Sequence, residues 1–319
     1  MGRFVARRLL VAIPTLLAIS FVMYAILALA PIDPLAGFAA DPRVPPEVRE
    51  NIRRSLGLGE AWPYRYVKWL LAAVQGNFGI SFVSRSSVSD LLWQRLPTTL
   101  AVVGVAYIVG VIIALPAGIL SAARRNTVTD HVISLSAYVG FSVPTFFTGV
   151  LLIIIFSIKL HWLTFLYDSR VTVHDLDSLV VQIKQSIMPI AVLGLFDAAI
   201  LTRYIRASML ENLPLDYVRT AHAKGLAERL VVLRHVLRNS LIPVVTLVAL
   251  GVPAVFGGAI VTEQIFHVPG IGALLITSIG NGDTPVVTAV VLIFAVLVVG
   301  FNLIADVLYA VLDPRVKYT

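Results

Sequence analysis

The chain has 319 residues, of which 58% are hydrophobic and 13% charged; soluble domains carry about 25% charged residues, so an ordinary soluble fold is excluded and the chain belongs in a membrane. The net charge of +7 does not point to nucleic acid, because the basic residues flank apolar runs and form no phosphate-binding face. With no cysteine, disulfides, thiolate catalysis and cysteine metal sites are all excluded, and the redox compartment stays open.

A bilayer core about 30 Å thick takes roughly 20 apolar residues per helix. Six stretches meet that length: Leu9–Ala30, Thr98–Leu120, Val132–Ile158, Ile187–Ile205, Leu241–Thr262 and Val286–Leu312. The first follows Arg3, Arg7 and Arg8 and ends in Ala28-Leu29-Ala30, which imitates a signal-peptidase site. Its apolar core exceeds the roughly 7–15 residues of a signal peptide, so it is read as an uncleaved helix. The short loops of one side hold Arg124, Arg125, Arg203, Arg206, the series Arg219, Lys224, Arg229, Arg234, Arg238, and finally Arg315 and Lys317. The positive-inside rule then predicts both termini in the cytoplasm. The organisation expected is a first span with a basic N-terminus (1–30), an external segment (31–97), a five-helix core (98–312) interrupted by a basic insert (209–240), and a cytoplasmic tail (313–319).

In the external segment, "VPPEVRENIRRSLGLG" predicts a helix closed at Gly57, with Val48, Ile52 and Leu56 on one face. "WPYRYVKWLLAAVQGNFG" sets Trp62, Tyr64, Tyr66 and Trp69 beside Arg65 and Lys68, as in a helix lying at the membrane interface. A small solvated cap is compatible with that reading.

Two acids lie within apolar spans, Asp197 in "GLFDAAI" and Asp306 in "NLIADVLY"; such groups are functional candidates. Asp197 is expected to face the bundle interior or a solute path, and Asp306 to form an interfacial ion pair or cap. A proton relay in an ion-driven secondary transporter is the alternative, although the inverted repeats common in that class are not apparent.

Between the fourth and fifth spans, "LENLPLDYVRTAHAKG" and "LAERLVVLRHVLRNSLIP" read as two helices hinged at Gly225, which suits a left-handed cap, with Lys224 at the negative dipole end. Leu226, Leu230, Leu233 and Leu237 are spaced to share one side, and Pro243 marks the start of the next span. Ala221, Ala223 and Gly225 permit close approach to another surface, which suits docking in a groove of a soluble partner. Binding to anionic membrane lipid would explain the arginines but not the small residues. In the fifth span, "LVALGVPAVFGGAIVTE", Gly251, Pro253, Gly257 and Gly258 are expected to interrupt the helix and, with Glu263, to line a solute path. Close helix packing without solute contact is the competing account.

An enzyme reading has one hook. "GNGD" at Gly280–Asp283 and Tyr167-Asp168 imitate the paired motifs of intramembrane aspartyl proteases, but both fall among turn residues in external loops. No Walker A and no H-E-x-x-H occurs, and the six histidines show no i, i+4 pair. No catalytic and no metal site is expected.

"DYVRTAHAKGLAERLVVLRHVLRNSLIPVVT" resembles the cytoplasmic coupling loop of the dipeptide/oligopeptide (and nickel) permeases of ABC importers. Arg219, Thr220 and Ala221 stand where the general permease signature has Glu-Ala-Ala, Gly225 matches its glycine, and Ile242-Pro243 stands for its Leu-Pro. "LGLGEAWPYRYVKWLLAAVQGNFGISF", "RLPTTLAVV", "SVPTFFTGVLLIIIFSIKLHWLTF", "VTEQIFHVPGIGALL" and "LYAVLDPRVKYT" are similar to other recurrent stretches of that family. The resemblance implies an all-α type I importer permease with six transmembrane helices, the first of two paired permease subunits. It also implies two cytoplasmic ATPases that bind ATP and magnesium, an extracytoplasmic binding protein, and no cofactor on this chain. ATPase coupling then falls to Tyr217, Arg219, Thr220, Ala221, Ala223, Lys224, Gly225 and Leu226. Peptide, nickel and other small solutes all remain open as cargo.

Overall fold

The computed structural model describes residues 2–29, 45, 47, 50, 53–54, 59–171 and 173–312. The expected helix over Val48, Ile52 and Leu56, and the tail with Arg315 and Lys317, lie outside these residues. In chain order the helices are α1 (Gly2–Leu29), α2 (Trp62–Val74), α3 (Val88–Ala123), α4 (Val128–Ser142), α5 (Thr145–Leu152), α6 (Leu176–Asn212), α7 (Asp216–Ala223), α8 (Glu228–Leu230), α9 (Leu237–Phe266), α10 (Ile271–Gly280) and α11 (Thr284–Leu312). Two π-helical stretches, Ile153–Lys159 and Val231–Val236, follow α5 and α8. The described residues contain no strand, only an isolated bridge between Ile80 and Ser87.

Within α1, α3, α6, α9 and α11 lie the five stretches long and apolar enough to cross a membrane. The expected third span, Val132–Ile158, is not one rod: α4 and the run from Thr145 to Lys159 meet at 102°. Pro144 is the reason. It pushes Val143 out of helical geometry, to φ −84° and ψ 125°. The bent pair still takes the chain across. α6 has 37 residues and so is about 55 Å long, well beyond a bilayer core. Arg206, near its end, grips Asp130 at the start of α4 at 2.8 Å. Those two ends share a side, α6 begins on the other, and the bent pair connects them. With the bent pair counted as one span, the described residues hold six helical stretches long and apolar enough to cross.

The described residues form two compact units, one within Met1–Val5, Leu100–Val268 and Gly300–Thr319, the other within Ala6–Thr99 and Pro269–Val299. In the second unit, α2 packs on α1. The Tyr66 and Ser20 hydroxyls are 2.9 Å apart, Phe21 meets Trp62 at 5.5 Å, and Tyr24 meets Trp69 at 5.5 Å. These aromatics therefore bind protein, and α2 leaves Val67, Leu71 and Val74 exposed as its outward apolar stripe. Asp283 is buried in the same unit. It accepts hydrogen bonds from the Ser81 hydroxyl and from the Phe82 amide at 3.0 Å, and so pins the turn after Ile80.

In the first unit, α6, α7, α9 and the π-helical turn before α9 share one buried cluster, including Ile205, Met209, Val218, Ala221, Val231 and Val236. One expectation about the insert is corrected here. Leu230 and Leu233 are exposed, at 41% and 44%, while Val231, Val232 and Val236 are buried. The π-helical turn shifts which residues face inward, so the 3.6-residue spacing of the leucines does not apply. Pro243 starts the apolar span Pro243–Phe266, as expected, although the helix that carries it, α9, already begins at Leu237.

Candidate functional site

The insert presents two unlike faces. α7 ends where Gly225 takes φ +73°, and the Gly225 amide donates to the His222 carbonyl at 2.9 Å. A residue with a Cβ is strained there. Val218 and Ala221 are buried in the chain's own cluster, and Tyr217 and Leu226 pack against it. Tyr217 also donates its hydroxyl to Asn212 at 3.0 Å. Arg219, Thr220, Ala223, Lys224 and Gly225 are exposed. Ala221 is therefore removed from the small-residue docking face expected above, because helical spacing turns it inward with Val218. His222 and Glu228 pair at 2.7 Å across the Gly225 turn.

The same unit holds a buried carboxylate that sequence reasoning missed. Asp130 accepts from Arg206 Nε and Nη2 at 2.8 and 2.9 Å, from the Ser121 hydroxyl at 2.6 Å and from the Asn126 amide at 3.0 Å. This joins α3, α4 and α6. The signal was present: Thr127 caps α4 and Asp130 stands three residues on, the spacing of a helix start. Arg203 lies over the rings of Tyr138 and Phe141, at 4.8 and 5.2 Å from their centroids. Arg203 and Arg206, read as topological charges, thus also hold helices together. Ser208 donates to the Ser240 carbonyl at 2.9 Å and ties α6 to α9.

Deeper in the same unit, α3, α5, α6 and α9 surround a cavity of about 430 Å³. Asp197, Gly251 and Gly258 line it, together with Tyr107, Phe196 and Tyr204. Pro253, Gly257 and Glu263 do not. Nor is α9 interrupted: it stays helical through Gly251, Pro253, Gly257 and Gly258. Glycine acts here by closeness. A Cβ on Gly251 would meet the Tyr107 hydroxyl at 2.7 Å, and one on Gly258 would meet Leu193 at 3.3 Å. A Cβ on Gly257 would meet nothing within 4 Å. Tyr107, which carried no motif, donates its hydroxyl to the Val248 carbonyl. Asp197 Oδ2 is buried with no hydrogen-bond partner. Glu263 is buried near the end of α9, and Asp306 is half-buried within α11 rather than at its end.

The protease-like acids are each engaged locally. Asp168 pairs with Arg170 at 2.9 Å, and this contact holds its carboxyl below the usual carboxylate range. Asp283 anchors the turn at Ser81 to Val83. Neither has the shared-proton geometry of a dyad.

The inner-membrane component family of binding-protein-dependent transport systems matches residues 114–318, and the N-terminal component of such systems matches residues 1–103. The chain belongs to this family. As a transport-system inner-membrane component it is a multi-pass ABC importer permease that works with ATPase and binding-protein components. The ion-driven alternative gives way to this. The chain is 41% identical over 319 residues, 100% of both chains, to the oligopeptide transport system permease protein AppB of Bacillus subtilis (strain 168). It is 39% identical, again over 100% of both, to the glutathione transport system permease protein GsiC of Escherichia coli (strain K12). It is 38% identical over 322 positions to a putative peptide permease of Brucella ovis, also covering 100% of each. Among solved structures, an inward-facing MetNI methionine ABC transporter matches 70% of this chain and 96% of its own, with TM-score 0.55 and 19% identity. At that identity the likeness shows the fold, the type I importer permease.

Proposed function

We propose that the chain is one permease half of an ATP-driven importer of dipeptides or oligopeptides. The observation carrying this is the end-to-end 41% identity to an oligopeptide permease. In this reading a second homologous permease completes the path, and two ATPases bind ATP and magnesium. A binding protein outside the membrane delivers cargo, and this chain catalyses no reaction and holds no cofactor. Both termini lie in the cytoplasm, so that the basic insert faces the ATPases. The exposed residues Arg219, Thr220, Ala223, Lys224 and Gly225 form the contact, while Tyr217, Ala221 and Leu226 fasten it to the membrane helices. The path uses the inner side of α9 and the Asp197 cavity. Apolar walls with few fixed polar groups suit cargo of varied side chains, leaving most selectivity to the binding protein.

A second reading, glutathione as cargo, is favoured by the 39% relative. Purifying the intact importer in mild detergent and identifying the co-purifying subunits tests the architecture. Uptake of labelled dipeptides, glutathione and nickel into proteoliposomes, with ATP inside and binding protein outside, tests the cargo. Nickel uptake without peptide uptake overturns the proposal, as does purification without any ATPase.

A further inference from the structure

Resting on the peptide reading, we propose that Asp197 forms a cation-binding subsite that takes the ammonium end of an amphipathic amine, such as the free N-terminus of a peptide in transit. A carboxylate held among apolar walls is costly unless paired, and Asp197 Oδ2 has no hydrogen-bond partner. The basic groups one turn or more away on its own helix are used elsewhere, Arg203 on two rings and Arg206 on Asp130. The Tyr107 hydroxyl is given to Val248. No basic side chain lines the cavity, so a cation that pairs with Asp197 comes from outside it.

The chemistry of the walls selects an organic cation over a metal ion. One carboxylate and no histidine line the cavity, whereas calcium takes six to eight oxygens and nickel prefers imidazole and other nitrogen ligands. Phe196, Tyr204 and Tyr107 supply aromatic surface suited to an ammonium group. The cavity of about 430 Å³ falls within the range of small-ligand pockets, about 300–1,000 Å³. The helix bearing the carboxylate is also held by a close contact. A Cβ on Gly194 would meet the Ala106 carbonyl oxygen at 2.8 Å, and one on Gly110 would meet the Asp197 Cβ at 3.1 Å. α3 and α6 therefore touch backbone to backbone beside the carboxylate.

The test places a cysteine at Ala254, which lines the cavity, in the full chain within the assembled importer. Thiol labelling of this chain is then followed with alanyl-phenylalanine amide or its N-acetylated form present. The free amine should slow labelling at least tenfold and the acetylated form should not. Asp197→Asn should remove the protection, and Asp197→Glu should keep part of it. Equal protection by both compounds, no protection by either, or undiminished protection in assembled Asp197→Asn overturns the subsite. Peptide uptake by the parent importer is scored separately. Normal uptake with no amine-specific protection refutes the subsite alone, and absent uptake refutes the peptide reading.

Discussion

Arg206→Ala isolates the contribution of the buried Asp130 network. Asp130 is 1% exposed, and the truncation removes its two shortest charged contacts, at 2.8 and 2.9 Å. The carboxylate keeps the Ser121 hydroxyl, the Asn126 amide and Ser134 as donors, all uncharged. Breaking a fully buried pair costs about 3–5 kcal/mol. The Arg206 side chain is 30% exposed, so water reaches the gap and the expected cost falls to about 2–3 kcal/mol. That corresponds to a midpoint lowered by roughly 5–10 °C, read as loss of the monodisperse peak of the detergent-purified importer after heating. Arg206→Lys should fall between, since an ammonium cannot make the forked contact. In an Asp130→Asn background the same truncation should cost under about 1 kcal/mol. Arg206→Ala at the parent midpoint, or an equal cost in both backgrounds, would refute the reasoning.

Gly225→Trp should uncouple ATP hydrolysis from uptake while Gly225→Ala, which bears the same strain of about 1–2 kcal/mol at φ +73°, should retain most coupling; equal effects would mean that bulk meets no partner. Ser86→Cys should react with an impermeant thiol reagent in intact cells, whereas a cysteine at the exposed Asn126 should not, and the reverse pattern would invert the topology. Gly257→Leu has open space within its own chain, so it should leave the fold intact and reduce peptide uptake; unchanged uptake would take Gly257 off the path.

The spans were legible because apolar length is a local property, and length alone located each crossing. The bend at Val143 was legible in principle, since a proline constrains the residue before it, but a run of apolar residues on both sides concealed it. The buried face of the insert was not legible. Leucine spacing presumes a regular α-helix, and the π-helical turn at Val231–Val236 exchanges the leucines for the valines. At the cavity, Asp197 stood out as an acid in an apolar run, and Gly251 and Gly258 as glycines in a helix. Tyr107 did not, because its role depends on reaching the Val248 carbonyl, 141 residues away in sequence. Long-range pairing of that kind leaves no periodic trace.

The same contacts decide how a push on α7 would travel. α7 is fastened by Val218 and Ala221 to the cluster holding Met209 of α6 and Val236 ahead of α9, so it cannot slide without moving both helices. Ser208 and Ser240 lock those two together, and Arg206 locks α6 to the start of α4. α4, α6, α7 and α9 then respond as one block at this end. Past the bend, where Val143 is extended and Pro144 offers no amide for a helical bond, α5 packs on the same block: a Cβ on Gly149 would meet the Phe266 ring of α9 at 3.4 Å. α5 contributes Thr145 to the cavity wall directly beyond that bend. Motion imposed on the insert would therefore carry α5 with the block, and with it the cavity wall that α5 shares with Asp197.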